Sequence, residues 1–445
     1  MNTPICDFVR RYAEQEPLRL HMPGHKGTPL LGMEAIDLTE IEGADSLYEA
    51  RGIIRESEEN ASRLFGAQTY YSTEGSSQSI RAMLCLALQY AKRHKKNLTV
   101  AAGRNAHKTF LSAVALLDVD VTWLTDRESD TYLSCVPDTD ELERLLQNDT
   151  TRPFAVYLTS PDYLGTLLDI RAIAELCHRF GVLLLVDNAH GAYLKFLPES
   201  RHPIDLGADL CCDSAHKTLP ALTGAAYLHI SHALEKDFTA QAKNALSLFG
   251  STSPSYLILQ SLDALNGYLS DGYADRLAAF AEAVQILRGQ LTAHGYRLHG
   301  NEPIKLTVEA KTYGYTGYEL AAFLQKSGIV CEFADADFLV LMLTPEIGEQ
   351  GLQRLKRTLL EIPKLRSIEQ RPPKAHLPAR ILSIRTATLS DCETLPVEAC
   401  LGRVLAAATV ACPPAVPIVV SGERIDEQAI EAFRYYGITH CSVVR

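Results

Sequence analysis

Two short stretches hold the residue types that chemistry needs. In Asp213-Ser214-Ala215-His216-Lys217-Thr218-Leu219-Pro220 a lysine stands among hydroxyls and an imidazole, and residues 207–212 and 224–228 on either side read as short buried strands. A lysine on a turn between two such strands sits at the floor of a cleft, where desolvation lowers an amine's pKa. An amine activated in this way forms a Schiff base with a carbonyl. Ser214, His216 and Thr218 offer hydrogen bonds suited to anchoring a phosphate. Taken alone, the stretch is also what a surface lysine on a turn looks like. The second stretch, Leu183-Leu184-Leu185-Val186-Asp187-Asn188-Ala189-His190-Gly191, is an apolar strand that ends in an acid. In an α/β sheet, functional groups gather beyond the carboxyl ends of the strands. An aspartate there can keep a pyridine nitrogen protonated while the lysine carries an aldehyde. That pair is the protein's half of pyridoxal phosphate (PLP) chemistry, in which the ring acts as an electron sink. Asp187 by itself equally reads as a helix cap; the pair favours PLP.

The surrounding elements must bring these stretches together. Residues 55–65 have apolar spacing for a helix that stops at Gly66, and 69–73 read as a strand. Gly75, Ser76 and Ser77 then open a long helix through Ala91, and a glycine turn at a helix start makes an anion site. A plain N-cap by Ser76 or Ser77 fits the same residues. Strands are expected at 98–101, 119–124 and 154–159, and helices before Leu117 and over 169–180, with Gly181 as the stop. Their alternation predicts a mostly parallel α/β sheet covered on both faces. A long amphipathic helix over 268–293 leads to a small α/β domain with elements at 304–308, 317–326 and 338–343. The expected organisation is an N-terminal arm over 1–55, a cofactor-binding domain over 56–295, a small domain over 296–370 and a C-terminal module over 379–445, with 364–378 as a Pro-rich, charged linker.

Composition narrows the function classes. A chain of 445 residues that is 47% hydrophobic can bury a large core in two or three domains. Its net charge of −11 argues against a sequence-independent grip on nucleic acid or anionic lipid. The eleven cysteines lack paired metal spacing and fit a reducing compartment. His21 and His25 are spaced four apart, but Pro23-Gly24 between them removes the helix that a zinc pair would need, so no metal is expected. With no leader sequence and no run of roughly 18 apolar residues, a soluble cytoplasmic protein is expected.

The chain resembles the Orn/Lys/Arg decarboxylase family, in particular its shorter bacterial members. The resemblance is carried by His21-Met22-Pro23-Gly24-His25-Lys26-Gly27, by Asp37-Leu38-Thr39-Glu40-Ile41-Glu42-Gly43-Ala44-Asp45-Ser46-Leu47, by Gly103-Arg104-Asn105-Ala106-His107-Lys108 and by the two stretches above. Gly402-Arg403-Val404, Pro413-Pro414 and Gly422-Glu423 extend it to the C-terminal part. It implies a PLP-dependent enzyme of the aspartate-aminotransferase fold that decarboxylates arginine, lysine or ornithine to the amine and CO2. It further implies that Lys217 carries the cofactor and Asp187 faces its pyridine nitrogen. The loop of Gly75, Ser76 and Ser77 would cradle the phosphate, His107 would lie flat against the ring, and Ala189, His190, Ser214 and His216 would be further cofactor-binding residues. Return of a proton to Cα falls to Lys217 or His216. A homodimer at least is implied, with the arm across the interface. Glu332, Asp335 and Asp337 are candidates to pair with the substrate's distal cation, although each also reads as a solvated charge, and Arg403, Glu423 and Arg424 could reach the mouth of the site. The chain departs from the family pattern at Glu74, at Gly224-Ala225 and at Cys412. The alternatives are another PLP reaction, an aminotransferase or an aldol lyase, and a PLP-fold regulator without catalysis.

Overall fold

The computed structural model describes residues 1–126, 131–407 and 415–445. Contacts divide the chain into two units, one of Met1–Lys96 with Ile170–Leu277 and one of Asn97–Asp169 with Ala278–Arg445. Seven strands carry the α/β part: β1 Gln68–Ser72, β2 Thr99–Gly103, β3 Asp120–Leu124, β4 Ala155–Thr159, β5 Leu183–Asp187, β6 Leu210–Asp213 and β7 Ala226–Ile230.

In the first unit β5 and β6 run parallel, with Leu185 opposite Leu210, Val186 opposite Cys211 and Asp187 opposite Cys212. β7 pairs antiparallel with both β6 and β1. Every residue of β5, β6 and β7 is buried, the pattern of strands covered on both faces. Each leucine sequestered in this way contributes roughly 1.5–3 kcal/mol. In the second unit β2 runs parallel with β3 and β4. The class is therefore the expected α/β with a mainly parallel sheet, and β7 is the antiparallel member.

The first four helices in chain order are α1 Pro4–Glu14, α2 Ile53–Phe65 and α3 Gly75–Arg93 in the first unit and α4 Lys108–Leu117 in the second. α2 buries Ile54, Ala61 and Phe65 and stops at Gly66, whose left-handed backbone (φ 64°) lets its N–H bond the Ser62 carbonyl at 2.9 Å. Within the segment expected to be an arm, α1 buries Ile5 and Val9 completely, and the Cys6 N–H donates to Asp263 at 2.9 Å. The single helix expected over 268–293 is instead two, Tyr256–Ser270 and Tyr273–His294. Gly272 between them adopts a left-handed φ of 65°, which ends one helix and redirects the chain. No helix among the described residues is long and apolar enough to cross a membrane.

The second unit also holds a four-stranded antiparallel sheet, in the order β10 (Phe333–Ala334), β11 (Phe338–Met342), β9 (Lys305–Glu309) and β8 (Leu298–His299). A three-stranded one follows the order β12 (Cys392–Pro396), β14 (His440–Val444) and β13 (Leu405–Ala407). The helix Gly317–Lys326 begins with a reciprocal capping box between Thr316 and Glu319. Glu423 is buried against Arg104 at 3.2 Å, and Arg104 also donates to the carbonyls of Pro417 and Ile418 at 2.9 Å. Arg403 is bound to Glu393 at 2.7 Å, and Arg424 is exposed. Cys412, Pro413 and Pro414 lie outside the described residues.

The three acids named as partners for a distal cation do not share one environment. Glu332 is exposed and accepts from the Tyr163 hydroxyl at 2.9 Å. Asp337 is buried and already paired, with Lys311 at 2.9 Å and the Tyr435 hydroxyl at 2.8 Å. Asp335 is 5% exposed and accepts from the backbone N–H groups of Asp337 (2.7 Å) and Phe338 (2.6 Å). The reading of these two aspartates as solvated charge is thus corrected: both are buried because the turn into β11 faces inward. Burial pushes the Asp335 carboxyl up to about 6, against those two donors. A carboxyl raised in the folded state keeps its proton after the unfolded chain has released it, so stability falls as pH rises from about 4 to about 6. Relative to Asp335→Asn, the wild-type protein should lose up to about 3 kcal/mol over that interval and run parallel to it above about pH 7. Urea unfolding of both proteins across pH checks this; curves parallel throughout would contradict it.

Candidate active site

The site of the first unit is assembled from two adjacent strand ends. At the end of β5, Asp187 is 2% exposed. Its Oδ1 accepts from the Ala189 backbone N–H at 3.1 Å and from the Cys212 thiol at 3.6 Å. Burial and the Asp187 charge push that thiol well up, so it remains an S–H donor to the carboxylate. At the end of β6 the chain makes a single helical turn, Ala215–Thr218, which presents Lys217. Lys217 Nζ lies 3.0 Å from His190 Nε2. An ammonium donates to that nitrogen, which places the imidazole proton of His190 on Nδ1.

His216 turns the other way. Its Nδ1 lies 3.0 Å from the Ala225 carbonyl, an acceptor, so Nδ1 carries the proton. Burial pushes this imidazole below its ordinary range, with the Ala225 bond acting against it. A neutral ring with its proton committed to Ala225 has none to give from Nε2.

The anion site expected at the start of α3 has its parts in place. α3 starts at Gly75, whose φ of 68° favours glycine, and a side chain added there would meet open space. The Gly75 N–H donates to the Gly224 carbonyl at 2.8 Å. Ser214 Oγ donates to Ser76 Oγ at 2.8 Å, joining the Lys217 turn to the first turn of α3. Ser77 lies in that same turn. A helix N-terminus with two hydroxyls and no acid in its first turn suits an anion. Glu74 immediately before it is exposed and makes no capping bond.

These parts fit PLP on chemical grounds: an amine, a buried carboxylate at the neighbouring strand end, and an anion-binding helix start tied to the amine's own turn. Ala189 and His190 are buried beside Asp187. His107 belongs to the second unit, where its Nδ1 accepts from the Thr109 N–H at 3.1 Å and caps α4, so a neutral ring carries its proton on Nε2. Four further residues were not legible in the sequence as a group: Asn188, His202, Asp213 and His229, which meet in one buried cluster. His202 and His229 sit in unremarkable stretches, and no spacing rule links them to Asp213.

Comparison with known proteins gives the family. The model described as "Orn/Lys/Arg decarboxylase, major domain" matches residues 3–287, and "Orn/Lys/Arg decarboxylase, C-terminal domain" matches residues 369–441. The uncharacterized protein YaaO of Bacillus subtilis is 29% identical over 97% of this chain and 93% of its own length. An arginine decarboxylase of the same organism is 29% identical over 96% of this chain and 92% of its own. Among solved structures, the constitutive lysine decarboxylase of Escherichia coli superposes with a TM-score of 0.79 over 100% of this chain and 82% of its own, at 18% identity, a likeness of fold. The chain belongs to the Orn/Lys/Arg decarboxylase family.

Proposed function

We infer that in this PLP-dependent decarboxylase of a basic amino acid Lys217 carries the cofactor and Asp187 faces its pyridine nitrogen. The observation that supports the assignment is the joint presentation of a buried Asp187 carboxylate and the Lys217 amine at the ends of the paired strands β5 and β6. PLP supplies, when bound, the electron sink that accommodates the pair left at Cα when CO2 departs. The protein's own residues do the rest. Asp187, held by Ala189 and Cys212, would keep a proton on the ring nitrogen. Ser76, Ser77, Ser214 and the N-terminus of α3 would bind the phosphate end, and Ala189 would bound the ring. His190 Nε2 accepts a proton from Lys217 Nζ, which readies the amine for attack on a carbonyl. With His216 neutral and its proton on Nδ1, the return of a proton to Cα would fall to Lys217 Nζ, which takes back the proton held on His190 Nε2. The burial of Asp187 and His190 limits water around the reacting carboxylate, which favours its loss as neutral CO2.

Arginine is the first candidate substrate, since the relatives that match most of the chain include proteins named arginine decarboxylase. Arginine, lysine and ornithine are supplied in turn to the purified protein and the products identified. The reading expects CO2 and the amine of one of them. A keto acid product would point to an aminotransferase, and bound PLP with no turnover of any of the three would point to a regulator. Asp187→Asn should retain PLP yet lower turnover by about 100-fold or more, as losses of transition-state charge stabilisation do; a rate near wild type would overturn its role.

A second copy of the chain is proposed to complete the site. Leu18, Leu20, Leu30 and Leu31 are each more than 80% exposed and Met22 is 66% exposed, all within one short segment. Such a bare apolar run is costly in water and marks an interface. Because α1 belongs to the folded core, substitution separates assembly from folding better than truncation does. Replacing the four leucines with serine should shift sedimentation toward the monomer and reduce activity together. A full-length monomer that decarboxylates at full rate would refute the shared site.

A further inference from the structure

Asp213 has no role in the scheme above, yet it is completely buried and directly precedes Ser214. A buried carboxylate requires partners, and this one has four. Its Oδ2 accepts from His202 Nε2 at 3.0 Å and from His229 Nε2 at 3.2 Å. Its Oδ1 accepts from Asn188 Nδ2 at 2.7 Å and from the Cys211 thiol at 3.6 Å. Burial alone would raise this carboxyl, but the two imidazoles outweigh it and hold the group below the usual carboxylate range. Burial pushes His229 down, so it is neutral, and its Nδ1 accepts from the Thr69 hydroxyl at 2.9 Å. His202 Nδ1 has no hydrogen-bond partner among the described residues. An imidazolium would strand a buried N–H there, so the ring's single proton belongs on Nε2, facing Asp213.

The cluster lies on the far face of the same two strands. Side chains alternate along a strand: Cys212 donates to Asp187, while Cys211 and Asp213 point the opposite way. Asn188 directly follows Asp187. Its backbone N–H bonds the Cys212 carbonyl at 3.0 Å, and its side chain reaches Asp213 on the other face. One amide thus connects the anchored anion to the residue that carries the site's acid. The donor atoms of His202, Cys211 and Asp213 also lie within 4.8 Å of one another, as a metal set could. However, the Cys211 thiol is pushed well up by burial and by the Asp213 charge, and His202 Nε2 already donates to Asp213. The chemistry is that of a hydrogen-bonded carboxylate.

We propose that Asp213, fixed by His202 and His229, is a positioning residue for decarboxylation: through Asn188 it sets the orientation of the Asp187 carboxylate. The inference rests on the reading of Asp187 given under Proposed function. Asp213 should matter for its shape and hydrogen bonds to Asn188, so an amide in its place, with the Asn188 amide turned over, should rebuild the link.

Holoenzymes of the wild type, Asn188→Ala, Asp213→Ala, their double variant, Asp213→Asn and Asp187→Asn are compared for kcat, KM and the pH midpoint of the bound cofactor's visible absorbance. Asn188→Ala and Asp213→Ala should each lower kcat by about 100-fold, with KM changed by less than roughly threefold, and each should shift the spectral midpoint in the same direction. The double variant should be no worse than the worse single one, because both cut one link, and Asp213→Asn should recover most of the kcat lost in Asp213→Ala. Should Asp213→Ala fail to fold, Asn188→Ala and Asp213→Asn still decide the matter. Effects that multiply, a fall in melting temperature with kcat and spectrum unchanged, no recovery in Asp213→Asn, or a stoichiometric metal in the purified protein would each overturn the proposal. Loss of kcat in Asp187→Asn without loss in the Asn188 and Asp213 variants would sink the positioning claim alone. Wild-type kcat in Asp187→Asn would sink the reading beneath it.

Discussion

The register of β5 on β6 is the constraint on which the site depends. With Asp187 opposite Cys212, one strand ends in the acid when the other has two residues, Asp213 and Ser214, left before the Lys217 turn. A slip by one residue would send every side chain of a strand to the other face. That would move Asp187 away from its face and put Asn188 in its place. All nine residues of the two strands are buried, so the apolar side chains oppose such a slip. The polar ends oppose it too, because each of the adjacent thiols Cys211 and Cys212 meets a carboxylate on its own face.

A second constraint ties the phosphate end to the lysine end. Gly224 adopts a φ of 98°, and a side chain there would come within 2.9 Å of Ile258 and 3.1 Å of the Thr73 carbonyl. The loop after the Lys217 turn therefore approaches the start of α3 closely, and its carbonyl receives the Gly75 N–H. Ala225 next to it accepts from His216. The glycine at 224 thus has a use in this chain: it lets two backbone segments meet.

Much of this was legible in the sequence because it is local. The apolar run into Asp187, the polar turn around Lys217 and the glycine-hydroxyl start of α3 each declare themselves within about ten residues. What was not legible depends on contacts between distant positions. Asp213 gains its meaning from His202, His229 and Asn188, which no periodicity joins. The inward turn of Asp335 and Asp337 looks like surface charge until its backbone donors and Lys311 are seen. α1 escaped notice because Pro4 and a mixed composition hide a helix that buries only a narrow face, and the break at Gly272 divides a run whose spacing reads as continuous.

The central claim is that the turn after β6 presents the cofactor's lysine. Borohydride reduction of the PLP-loaded protein, followed by proteolysis and mass spectrometry, tests it most directly. The account predicts one modified peptide, carrying the cofactor's mass on Lys217 and absent from Lys217→Ala. Modification at Lys26 or Lys108 instead, or an adduct that persists in Lys217→Ala, would contradict it.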